Sequence, residues 1–235
     1  IPVDKKRKEK IANMTGLQSA DDVISAPNVK SIYDVPVNFQ NDGLGLRILN
    51  HFGLKPKKKD MQEWKKMVDK MRKATKEVHI AVVGKYFDTG DFVLSDAYIS
   101  VIEALKISGI HEGAKTNLHW LDAKSFEKGG KRELAKLGKY DGILVPGGFG
   151  ETGIEGKIKV IEYARVNKIP YFGLCYGMQL MVVEYARNVL GLKGANIVEI
   201  DPKTSNPVID IMPEQKKKLE IKDFGASMRL GTYEA

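Results

Sequence analysis

The chain holds one cysteine, Cys175, and a glycine stands two residues to either side of it in Gly173-Leu174-Cys175-Tyr176-Gly177. Residues 170–174 read as a strand, and 177–189 as a helix. A nucleophile at such a junction sits on a sharp turn in strained backbone, and flanking glycines let strand and helix approach closely. The thiol then stands at the N-terminus of the helix, where free amides and the positive end of the dipole favour a thiolate. A lone cysteine is otherwise a small buried hydrophobe. Strand, helix and both glycines together make Cys175 a candidate nucleophile.

A second strand, 141–145, runs into Pro146-Gly147-Gly148-Phe149-Gly150. Gly148 to Gly153 has the spacing G-x-G-x-x-G, which suggests a dinucleotide site. The acid expected ~20 residues further on for the ribose would fall near 168–174, which holds no Asp or Glu. Gly156-Lys157 does not complete a phosphate loop either, because Glu151 replaces the first glycine and Ile158 follows the lysine. An oxyanion site accounts better for the small residues: they let a backbone N–H at Gly148 face a substrate carbonyl. The amide of Tyr176, next after the nucleophile, is the second donor. Such a donor contributes ~3 kcal/mol to the transition state.

A cysteine hydrolase wants a histidine base oriented by a carboxylate. The four histidines are at 51, 79, 111 and 119. His79 and His119 fall within strand patterns, His111 follows a helix-ending glycine, and His51 belongs to a basic first segment. None is assigned to catalysis, and none makes a metal-ligand spacing. The residues supply a nucleophile and an oxyanion loop without a base.

The elements that must position these turns follow a regular order. Residues 61–73 read as an amphipathic helix whose Met61, Trp64, Met67, Val68 and Met71 pack as core. From residue 78 strands alternate with helices: strand 78–83, helix 95–107 closed by Gly109, strand 116–121, helix 126–137, strand 141–145, helix 154–166, strand 170–174, helix 177–189. That order predicts an α/β fold with a doubly wound, mostly parallel sheet covered on both faces. Ligands of such sheets sit at the carboxyl ends of strands, where both Gly-rich turns fall. Residues 1–53 mix short helical signals with turns, and the charged, Pro-broken stretch 55–59 is the boundary signal.

Of 235 residues, 43% are hydrophobic and 29% charged, which excludes a disordered chain. No apolar run approaches the ~18–20 residues of a membrane span. A single cysteine excludes an intrachain disulfide framework and fits a reducing cytosol. The net charge is +8, and residues 1–77 hold 17 Lys and Arg against 10 Asp and Glu. Runs such as Lys57-Lys58-Lys59 lack interleaved aromatics, so they read as a solvated face or linker and not as a nucleic-acid surface. The start, Ile1-Pro2-Val3-Asp4, has no apolar targeting segment and reads as a chain entered partway.

Pro146-Gly-Gly-Phe-Gly150, Gly153-Ile-Glu-Gly-Lys157 and Gly173-Leu-Cys-Tyr-Gly-Met-Gln179 together resemble the class I glutamine amidotransferases. Within them, Val83-Gly-Lys-Tyr86, Asp96 to Leu105, Pro207 to Gln215 and Met228-Arg-Leu-Gly231 resemble the CTP synthase family. Val23 to Pro36 is similar to the tail of that family's synthetase domain. The resemblance implies a flavodoxin-like amidotransferase domain over 78–235, incomplete at its C-terminus, after a synthetase tail (1–54) and a linker with a helix (55–77).

The resemblance also implies a Cys-His-Glu triad in which a thiolate attacks the glutamine side-chain amide. Ammonia then passes to a synthetase domain that aminates UTP to CTP with ATP and Mg²⁺. On this chain Cys175 matches the nucleophile, Gly148 and Tyr176 the oxyanion donors, and Tyr176, Gly177, Met178 and Gln179 the glutamine-contacting turn. Glu199 matches the acid that meets the α-amino group of glutamine, and Asn28 and Val29 match a loop touching the adenine of ATP. Tyr176 replaces a usual Leu, and Glu151-Thr152 replaces a pair that commonly holds Arg. The triad His and Glu are expected beyond Ala235 and the UTP and metal sites before Ile1, so negligible glutaminase activity is expected of this stretch alone. CTP as a feedback ligand, a homotetramer and a cytoplasmic location complete the expectation. Another class I amidotransferase, an intracellular cysteine peptidase and a non-catalytic amidotransferase-like module are the alternatives.

Overall fold

A computed structural model of the chain describes residues 2–57, 60–84, 98–148 and 151–213. The described residues divide into two compact units, those within 1–76 and 107–115 and those within 77–106 and 116–235.

The first unit is helical. Helix α1 (Lys5–Thr15) starts at Asp4, whose side chain accepts from the amide of Arg7, and ends at Gly16 with φ 70°. Helices α2 (Val35–Asn41) and α3 (Leu44–His51) are short, and α4 (Gln62–Lys73) follows the boundary stretch. Val68 is buried, with Met61, Trp64, Met67 and Met71 half-buried along the same face. The Trp64 indole donates to the carbonyl of Tyr33 at 2.9 Å, and Arg72 pairs with Asp34 at 2.7 Å.

The second unit is built on four strands: β1 (Lys76–Gly84), β2 (Ala114–Asp122), β3 (Gly142–Val145) and β4 (Tyr171–Gly173), in the order β2-β1-β3-β4. β1 and β3 pair in parallel, with Ile80 opposite Gly142 and Val82 opposite Leu144. β3 and β4 do the same, with Ile143 opposite Tyr171 and Val145 opposite Gly173. Because side chains alternate along a strand, Ala81, Val83, Ile143 and Val145 share one face while Val82 and Leu144 share the other. All six are buried. That is the pattern of a sheet covered on both sides, and each of the five Val, Ile and Leu side chains contributes ~1.5–3 kcal/mol.

Helices α5 (Ile99–His111), α6 (Ala123–Lys128), α7 (Gly130–Ala135), α8 (Ile154–Val166) and α9 (Tyr176–Asn188) connect the strands. One apolar cluster joins Phe126, Leu137, Val160 and Ala164 to the Ala81 face, and a second joins Ile154, Ile158 and Ile161 of α8 to Tyr176, Leu180 and Val183 of α9. A small parallel pair, β5 (Asn196–Ile197) and β6 (Pro207–Ile209), follows α9.

Two expected elements differ. The helix over 126–137 is broken: α6 stops at Lys128, Gly130 has φ 58°, and a 3₁₀ turn covers Lys136–Lys139. The apolar spacing of Phe126, Leu134 and Leu137 continues across the break, so periodicity alone does not reveal it. Gly109 does not close its helix but lies inside α5; Gly113, with φ 68°, turns the chain after it. Residues 95–97, where that helix was expected to begin, lie outside the described residues.

Candidate active site

β3 and β4 are parallel neighbours, so their carboxyl ends emerge side by side. The carbonyl of Val145, the last residue of β3, accepts from the amide of Leu174 at 3.0 Å. The loop from Pro146 and the turn at Cys175 therefore leave the sheet together. A β-carbon built on Gly147 would lie 3.4 Å from Cys175 Cβ and 3.8 Å from its sulfur. One built on Gly148 meets nothing within 4 Å. Gly147 thus rests against Cys175 and Gly148 borders open space.

Cys175 has φ 51° and ψ −105° and caps α9. A non-glycine residue there is strained and persists only where its surroundings over-determine it. Several contacts do so. The amide of Gly177 donates to Leu174 O at 2.9 Å, and that of Gln179 to Cys175 O at 3.1 Å. The Tyr171 hydroxyl donates to Gly177 O at 2.8 Å. A β-carbon on Gly173 would lie 2.5 Å from the carbonyl carbon of Gly177, so strand and helix touch where the sequence places its two glycines. The Cys175 side chain is exposed. It is presented to solvent at the head of the helix, the geometry required for attack on a carbonyl.

Tyr176 points the other way and is 4% exposed. Burial, with the nearby carboxylates of Glu199 and Glu151, pushes its phenol up to about 12. Gly177 is buried, Gln179 half-buried and Met178 exposed. Glu199 is exposed, in a turn after β5. The structure thus brings Gly148, Cys175, Tyr176–Gln179 and Glu199 to one region of the second unit. Asn28 is exposed and Val29 half-buried, both in irregular backbone of the first unit between 3₁₀ turns at Ala20–Asp22 and Ile32–Asp34. Residues 149–150, part of the Gly-rich loop, lie outside the described residues.

The histidines do not complete a triad. His79 Nδ1 lies 3.0 Å from His119 Nε2. The backbone of His79 bonds Asp141, the residue before β3, in both directions. This pair therefore belongs to the amino end of β3, opposite the end that carries Cys175. Among the described residues no group of three or more His, Cys, Asp or Glu gathers as metal ligands, and no helix is long and apolar enough to cross a membrane.

Sequence reading weighed Lys157 only as part of a phosphate loop and did not place it beside Tyr176. The lysine is 2% exposed, and its Nζ lies 5.3 Å from the centroid of the Tyr176 ring. The available signal was its place in the apolar row Ile154, Lys157, Ile158, Ile161, at spacings of three and four on α8.

Residues 93–234 match the family model of glutamine amidotransferase class-I. A CTP synthase of Caldanaerobacter subterraneus is 46% identical over 233 residues, covering 99% of this chain and 41% of that protein. One of Methanococcoides burtonii is 50% identical over 213 residues, covering 91% and 38%. The chain spans about two fifths of the length of these curated relatives. The glutaminase domain of Trypanosoma brucei CTPS with bound acivicin superimposes with a TM-score of 0.55 at 36% identity, over 60% of this chain and 53% of that one. With its strained Cys175 turn and its Pro-Gly-Gly loop at adjoining strand ends, the chain belongs to the class-I glutamine amidotransferases.

Proposed function

We propose that this chain is the glutamine-hydrolysing part of a CTP synthase, with Cys175 as the nucleophile. The observation that carries the reading is the contact of Gly147 with an exposed Cys175 held at φ 51°. A substrate carbonyl reaching the sulfur there also reaches the backbone at Gly148 and Tyr176. Similarity to CTP synthases over nearly the whole chain supports this enzyme over other amidotransferases.

The Cys175 thiolate attacks the side-chain carbonyl carbon of glutamine. The negative charge that develops on oxygen is met by the amides of Gly148 and Tyr176, each supplying ~3 kcal/mol of transition-state stabilisation. Collapse of the tetrahedral adduct breaks the C–N bond, and the nitrogen leaves as ammonia after taking up a proton. Water then cleaves the glutamyl thioester to give glutamate and the free thiol. Met178 and Gln179 shape the rim of the site, and Glu199 offers a carboxylate to the substrate's α-amino group.

Ammonia would then serve the ATP-dependent amination of UTP to CTP in a synthetase domain, of which residues 1–54 form the tail and residues 55–77 the link. Asn28 and Val29 would contribute backbone contacts to the adenine of ATP. The described residues offer no cluster that fits Mg²⁺. Feedback by CTP, a homotetramer and a cytoplasmic location belong to the same proposal, supported by the likeness to CTP synthases.

The test is Cys175→Ala in the intact enzyme. Glutamine-driven CTP formation should disappear while added ammonia still supports it. Glutamine-driven turnover that survives the substitution would show that the thiol is not the nucleophile.

A further inference from the structure

Lys157 is the deepest cation among the described residues, at 2% exposure. It lies on the apolar face of α8 beside Ile154, Ile158 and Ile161, which pack with Tyr176, Leu180 and Ile197. Burying an ammonium is costly unless its charge is accommodated. The face of an aromatic ring can do this, and the Tyr176 ring lies 5.3 Å from Nζ. The phenol stays neutral well above physiological pH, held so by burial and by Glu199 and Glu151. The pair therefore sets Nζ of Lys157 over a neutral ring.

The position of that ring matters for chemistry. Tyr176 is the first residue of α9 and follows Cys175 directly. The peptide between them carries the N–H that would face the developing oxyanion. Fixing the ring in the cluster fixes that peptide's orientation, in a turn whose strained cysteine needs external restraint.

We propose that Lys157 is a positioning residue for glutamine hydrolysis: its buried ammonium clamps the Tyr176 ring and so aims the Tyr176 amide at the oxyanion. This rests on the assignment of Cys175 as the glutaminase nucleophile. Because the oxyanion exists only beyond the ground state, loss of the clamp lowers kcat and leaves KM for glutamine nearly unchanged.

The experiment compares Lys157→Met and Lys157→Arg in the intact enzyme, each also in a Tyr176→Leu background. Lys157→Met should lower kcat for glutamine hydrolysis by roughly 10-fold, a fraction of what deleting an oxyanion donor costs. The ratio of glutamine-driven to ammonia-driven CTP formation should fall by the same factor. Lys157→Arg should keep most of the rate, since a guanidinium stacks on an aromatic face. In the Tyr176→Leu background Lys157→Met should add less than about 2-fold, the coupling expected of residues that act through one another. Tyr176→Leu alone, which keeps an apolar filler in the cluster, should show the same kcat-selective loss and serves if Lys157→Met does not fold. Wild-type kcat in Lys157→Met or in Tyr176→Leu, a loss confined to KM, equal losses in both backgrounds, or a parallel fall of ammonia-driven turnover each overturns the proposal. Failure of the underlying assignment registers separately, as glutamine-driven turnover in Cys175→Ala.

Discussion

Gly177 rests so closely on the carbonyl of Val145 that a β-carbon there would lie 2.1 Å from the carbonyl oxygen. No real β-carbon is tolerated at that distance from backbone, so helix α9 would have to lift off β3. Gly177→Ala should therefore destabilise the domain by ~1–3 kcal/mol, as overpacking does. The larger effect should be on chemistry, because a displacement of about 1 Å costs on the order of 100-fold in rate. Glutamine-driven turnover and thermal unfolding of the same variant check both parts. A variant with wild-type turnover would mean that the close approach does not set the turn.

The strained turn at Cys175 was legible because its cause is local: a strand, two glycines and a helix within some twenty residues. The sequence put the Pro-Gly-Gly loop at a strand's carboxyl end too, but its adjacency to Cys175 comes from the pairing of β3 with β4. Other features depend on distant partners. Lys157 reads as a polar residue on a helix, and its burial follows from a ring 19 positions away. The His79–His119 contact joins residues 40 apart on two strands. The break at Gly129-Gly130 was missed because apolar spacing ran through it. Gly156 was weighed as part of a phosphate loop, but its constraint is packing: a β-carbon there would lie within 2 Å of the carbonyl oxygen of Ala123 at the start of α6.

Arg165 on α8 and Glu184 on α9 should respond unequally to substitution. The guanidinium reaches the carboxylate through Nε at 3.1 Å and through Nη2 at 2.7 Å, and Asn188 adds a donor at 3.1 Å. The Glu184 side chain is 1% exposed and that of Arg165 is 36% exposed. Arg165→Met strands a buried carboxylate and should cost roughly 3 kcal/mol. Glu184→Gln leaves an arginine that can turn to water and should cost about 1–2 kcal/mol. Urea denaturation of both variants tests the order. Equal costs would refute the asymmetry.

Lys168, two residues past the end of α8, has φ 57°, while the amide of Ile169 bonds back to Ala164 O at 2.9 Å. A side chain in this left-handed region is strained by ~1–2 kcal/mol, and glycine relieves that at some cost in unfolded-state entropy. Lys168 is exposed, so its side chain contributes little packing. Lys168→Gly should raise stability by ~0.5–1 kcal/mol, a gain of about 2–4 °C in Tm for a domain of this size. A fall in Tm would contradict it.

Two tyrosines beside the turn give stability a defined alkaline limit. Tyr171 is pushed above the ordinary tyrosine value by burial, and Tyr176 is pushed up to about 12 by burial and by Glu199 and Glu151. Below pH 10 the folded and unfolded chains both keep these protons. Between pH 10 and about 12 the unfolded chain releases the Tyr176 proton while the folded chain retains it. A proton held more tightly by the folded state makes stability fall as pH rises through that window. The urea midpoint of the wild type should drop from pH 9 to pH 11, and the drop should shrink in Tyr176→Phe. Tyr171→Phe should shrink it too, with a constant loss of ~1 kcal/mol for the missing bond to Gly177 O. An identical pH dependence in all three proteins would place the alkaline transition elsewhere in the molecule.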